Sequence, residues 1–172
     1  EYDMNSKLSI VALLMTAPIF SCSADTVNIN VTGNVVASPC IVNGGASSLN
    51  VDLGNIQATA LAAAGSSSTA VPFTLTVTNC PTGTSTVKAS IGGSASHDSP
   101  NLYMNSGTAG NVYVALYDGV TGNMLGPGSA VVKTVQSDST ASIALKANAY
   151  SLYGNTTPGS ISSAITVTMT YQ

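Results

Sequence analysis

Near the C-terminus Ile165, Val167, Met169 and Tyr171 alternate with Thr166, Thr168 and Thr170, up to one residue from the end of the chain. Successive side chains of a strand point to opposite faces, so this period of two describes an extended segment with one apolar face and one wet face. The same rule governs an N-terminal stretch. There Val27, Ile29, Val31, Gly33 and Val35 fall on one side, and Thr26, Asn28, Asn30, Thr32 and Asn34 on the other. No heptad or 3.6-residue repeat is sustained anywhere, which leaves an all-β chain as the consistent solution. With 44% of residues hydrophobic and 6% charged, the composition excludes disorder, which requires the opposite balance.

Between the termini, strand-like segments recur at about 8 to 15 residues, the rhythm of a β-sandwich. They are Leu49–Leu53, Val71–Asn79, Thr86–Ile91, Asn111–Asp118, Val131–Val135, Ala141–Ala149 and Ser163–Tyr171. Asp118-Gly119 through Gly122-Asn123 predicts a hairpin-type connection. Ala58–Ala64 has the composition of a short helical turn. Gly65–Thr69, Gly92–Pro100 and Tyr153–Ser160 read as loops.

Residues 1–24 stand apart. Lys7 precedes the largely apolar run Leu8–Phe20, which closes on Ser21-Cys22-Ser23-Ala24, the anatomy of a secretory signal too short to span a bilayer. Glu1-Tyr2-Asp3, ahead of Met4, are expected to be an upstream remnant. Cleavage after Ala24 starts the exported chain at Asp25. The competing reading, a lipidated Cys22, fits poorly with bulky Phe20 beside the site. Removal of Cys22 leaves Cys40 and Cys80, and an even pair in an exported domain reads as one disulfide. On the chain-entropy account, such a loop of about 41 residues contributes about 4 kcal/mol.

The chemistry-bearing side chains are sparse. A net charge of −3, with no Arg, supplies no basic stripe for nucleic acid. One His and no spare Cys give no zinc pattern. Ser96-His97-Asp98-Ser99 has the residue types of a catalytic triad, but neighbours in sequence do not converge as nucleophile, base and orienter. The stretch reads as a solvated loop. No phosphate loop or dinucleotide fingerprint follows any strand. The 7 tyrosines are expected in core or edge packing ahead of a carbohydrate-stacking platform. The chain is therefore expected to be neither an enzyme nor a binder of a cofactor, a metal or a small-molecule substrate.

Several short motifs in fixed order carry a resemblance. They are Val35-Val36-Ala37-Ser38-Pro39-Cys40, Val51-Asp52-Leu53-Gly54, Thr78-Asn79-Cys80-Pro81, Gly107–Val112 leading to Leu116-Tyr117-Asp118, and the terminal Thr170-Tyr171-Gln172. Across residues 25–172 the sequence resembles subunits of chaperone–usher fimbriae, most closely the small tip-adaptor pilins of type 1 fimbriae. The resemblance implies an incomplete immunoglobulin-like antiparallel β-sandwich that lacks its final strand. It also implies an N-terminal donor-strand extension at 25–37 ahead of a pilin domain at 38–172. In that family a periplasmic chaperone, and then the extension of the next subunit, fills the gap by strand addition. Val27, Ile29, Val31, Gly33 and Val35 are the implied donor residues. Gly159 and Tyr171, with Ile165, Val167 and Met169, are the implied chaperone-recognition and groove-edge set. The implied partners are a periplasmic pilus chaperone, an outer-membrane usher and neighbouring pilin subunits.

Physical chemistry supports such a role. Burial of four Val or Ile side chains contributes roughly 6 to 12 kcal/mol, and a head-to-tail interface generates an open filament. The expectation is a structural subunit of an adhesive surface fimbria, exported through the periplasm. The alternative is a self-sufficient secreted sandwich that binds a carbohydrate or protein ligand, in which Val27–Val35 pairs within its own chain.

Overall fold

The structure, a computed structural model, describes residues 30–33 and 39–172. The chain divides into two compact units, Glu1–Asn34 and Val35–Gln172. In the first, Asn30–Gly33 are exposed and carry no strand. The expected signal at 1–24 lies outside the described residues, as do Val27, Ile29 and Val35 of the extension.

Among the described residues, the second unit contains nine strands: β1 (Ile41–Val42), β2 (Ser66–Ser67), β3 (Val71–Thr78), β4 (Thr86–Gly93), β5 (Tyr103–Met104), β6 (Tyr113–Asp118), β7 (Ala130–Thr134), β8 (Ala141–Ser151) and β9 (Ile165–Tyr171). All pairings are antiparallel. One sheet runs β1-β3-β8-β6-β5, with β2 also paired to β8, and the other runs β7-β4-β9. The alternation places Leu75, Leu116, Ile143 and Leu145 of the first sheet against Ala89, Ile91 and Val131 of the second in one core. Tyr103 lies wholly inside and donates its hydroxyl to the Leu125 carbonyl at 2.9 Å. That burial pushes its pKa up to about 12.

The expected helical turn is a 3-10 turn at Ala58–Leu61, whose Leu61 is buried. The expected hairpin after β6 is present, with Asp118 Oδ1 accepting the Val120 and Thr121 N–H groups. Burial of the carboxylate opposes the effect of these donors. The Thr121 N–H above all, helped by Val120 and the charge of Lys133, still holds its pKa below the usual range.

Two expectations need correction. Leu49–Leu53 is not a strand, since its backbone finds no ladder partner among the described residues. Within the expected loop Gly65–Thr69, Ser66–Ser67 pairs with Tyr150–Ser151, because β8 runs beyond the end of β3 and offers free backbone groups there. The loop at Ser96–Ser99 is as expected and His97 is exposed. Ser96, however, is buried, and its Oγ accepts the Asp98 N–H at 3.1 Å as a local brace.

Candidate functional site

β9 pairs with β4 from Ile165 to Tyr171 along one edge. Its other edge has no partner among the described residues. The alternation read from sequence is reproduced, but only by half. Ile165, Val167, Met169 and Tyr171 are half-buried, and the intervening threonines are exposed. Beside this edge the two sheets part, and an open groove of about 1180 Å³ runs between them.

Its floor is the inner face of the first sheet, with Phe73 and Leu75 of β3, Val114 and Leu116 of β6, and Leu145 and Ala147 of β8. One wall is β9, through Ile165, Val167 and Met169. The other is the segment that follows β1, from which Val51, Leu53 and Ile56 turn half-buried side chains inward. This second wall is the sequence read as a strand at Leu49–Leu53. The alternation gave its facing correctly, because Val51 and Leu53 do pack on the core. Among the described residues, the backbone of 47–56 makes no backbone–backbone hydrogen bond. The groove is thus apolar below and flanked by two lengths of unpaired backbone. Burial of an apolar row of side chains together with satisfaction of those N–H and C=O groups is what an added strand supplies.

One end of the groove is closed by a crossing of two segments. Ala109 N–H donates to the Ser160 carbonyl at 3.0 Å, and Ser106 N–H to that of Ser162 at 2.8 Å. Asn105 Oδ1 accepts from the Gly107 and Ser162 N–H groups, while Nδ2 donates to the Ala109 carbonyl. Gly159 sits at this crossing, where a Cβ would press on the Ala109 N and come within 2.6 Å of the Thr108 carbonyl carbon. Gly107 faces the Ser160 backbone with the same lack of room. No composition signal marks Asn105 or the close backbone approaches at Gly107 and Gly159, since they depend on a long-range crossing.

At the other end, Cys40 and Cys80 are joined in a disulfide with a Cα–Cα distance of 4.4 Å. Tyr171 packs against the buried cluster of Cys40, Val77, Cys80, Val87 and Ala141, and burial raises its pKa. Tyr171 therefore belongs to the disulfide cluster, whereas Gly159, Ile165, Val167 and Met169 line the groove. Of the expected donor residues, Val31 and Gly33 are described and exposed.

An antiparallel β-sandwich with an open apolar seam between its sheets is the fold shared with solved pilin subunits. The chain belongs to the fimbrial protein family, whose model matches residues 29–172. It is 38% identical over 165 residues to Protein FimG of Escherichia coli strain K12, which covers 94% of this chain and 95% of that one. It is also 38% identical over 170 residues to the S-fimbrial adhesin protein SfaS of Escherichia coli strain 536, covering 98% and 99%. In fold it matches a subunit in a solved chaperone–usher pilus with a TM-score of 0.66 at 20% identity, covering 91% of this chain and 100% of that one. The chain is a structural fimbrial subunit, and its relatives are fimbrial proteins, not enzymes. The self-sufficient ligand-binding sandwich finds no support among them.

Proposed function

We propose that the groove beside β9 accepts a strand from another chain, and that residues 25–37 of this chain serve as such a strand for a neighbour. The observation that carries this reading is the pairing of an apolar floor with unpaired backbone on both banks. Val27, Ile29, Val31 and Val35 supply the matching apolar row, and Gly33 the one position without a side chain. Each subunit then offers a strand at one end and a groove at the other, so the contact is heterologous and propagates into a fibre.

Before assembly the open groove exposes apolar surface that invites aggregation, so a periplasmic chaperone that lends a strand and an outer-membrane usher that oversees exchange are the expected partners. Residues 1–24 act as the export signal in this scheme, and 38–172 as the pilin domain. The likeness to SfaS, an S-fimbrial adhesin protein, supports an adhesive role for the fibre.

The test is thermal unfolding of a chain that begins at residue 37, with and without a synthetic peptide of residues 25–37. A large rise in midpoint with peptide is expected. A high midpoint that ignores the peptide would mean that the sandwich is already complete.

A further inference from the structure

We propose that Met169 is a modification site through which a peroxide disables the groove, and that an incoming strand shields it. The inference rests on the strand-accepting reading above. Among the described residues, Met169 is the one methionine that lines the groove. It is half-buried, pairs with fully buried Ala89 across the ladder, and touches both the main core and the disulfide cluster. Met124 is exposed on the connection after β6, and Met104 lines a separate small recess of about 150 Å³.

A thioether fills irregular apolar space well, but it is also the softest nucleophile in the groove. Attack of the Met169 sulfur on a peroxide breaks the O–O bond and forms one S–O bond. The sulfur loses two electrons, and the departing peroxide oxygen leaves as water with its protons. The product is polar and chiral, and a core position does not accommodate it. The hydroxyls nearest in sequence, Thr168 and Thr170, lie on the opposite, exposed face of β9. Met169 packs on the apolar residues of both clusters, so once a strand covers the groove and pairs the N–H groups of its banks, a sulfoxide oxygen held against that apolar surface is costly. Oxidation before strand uptake therefore opposes uptake, and uptake before oxidation protects the sulfur.

The experiment treats the full chain with hydrogen peroxide, maps sulfoxide by peptide mass spectrometry, and measures binding of the peptide of residues 25–37. Sulfoxide at Met169 is expected to weaken binding about tenfold. Peptide present during treatment should slow oxidation of Met169 and leave Met124 unaffected. Met169→Leu and Met124→Leu chains are each compared before and after treatment, so that any effect of the substitution itself cancels. The first should lose sensitivity and the second keep it. Resistance of Met169 to peroxide while Met124 oxidises, or unchanged binding by the Met169 sulfoxide, overturns the inference and leaves the strand-accepting reading intact. Failure of the untreated chain to bind peptide overturns both.

Discussion

β8, rich in alanine, and β9, rich in β-branched residues, are both alternating strands, yet they end in different states. β8 is paired on one side with β3 and on the other with β6, and Ile143, Leu145 and Ala149 are almost fully enclosed. Among the described residues β9 is paired on one side only, and every apolar residue on it is half-buried. Strand propensity does not separate them, since Ile, Val, Met and Tyr are at least as apolar as the residues of β8. What differs is whether a layer lies over the apolar face. The half-burial of β9 is the mark of a missing neighbour.

That contrast is open to direct attack. The largest effect is expected at Ile143→Ala, which empties a closed core site and should cost about 2–5 kcal/mol in urea unfolding. Its cost should be the same with or without the 25–37 peptide. Val167→Ala on β9 should cost about 1 kcal/mol in the open state and more once the peptide covers it. Equal, peptide-independent costs at the two positions would break the comparison.

A loss between these two, about 1–3 kcal/mol, is expected for Gly159→Ala, because the new methyl group must displace the Thr108–Ala109 backbone. This variant separates two roles for the glycine. Reduced stability without any partner present identifies the backbone crossing as its requirement. Full stability combined with weakened chaperone capture would assign it to recognition instead.

The smallest effect concerns Asp118, on the closed side of the molecule. Its folded pKa is lowered, so the stability it contributes is complete above the ordinary carboxylate range near pH 4 and is lost as pH falls through the folded value. Asp118→Asn should flatten the acid limb of a stability–pH profile, with a loss of about 1 kcal/mol at neutral pH. Peptide should leave that limb unchanged, since the carboxylate lies outside the groove.

Much of this architecture is visible in the residues themselves. Phe73, Leu75 and Val77 alternate with threonines and form β3, while Ile165 to Tyr171 form β9 at the expected place. Leu49–Leu53 shows where such reading stops. Alternation reports which face is apolar, but it carries no information about whether a ladder partner exists. Ser66–Ser67 errs in the other direction, because a polar pair becomes a strand only through the excess length of β8. The open seam itself was legible through resemblance to a family, and not from periodicity. An absent strand leaves no residues to read. The crossing at Gly107 and Gly159 was opaque for a related reason, since it joins segments about fifty positions apart.

The disulfide has a mechanical consequence. Tension on the residues that precede Cys40 would, without it, fall first on β1, whose ladder is only Ile41–Thr78 and Val42–Val77. The bond carries that load across to Cys80, two residues beyond the end of β3. Residues 41–79 are thereby cut out of the extensible contour. A pull from the N-terminal side is delivered through Cys80 to β4, the next strand along the loaded chain, which is held by seven paired positions to β9 and five to β7, and the short strand beside the groove is spared.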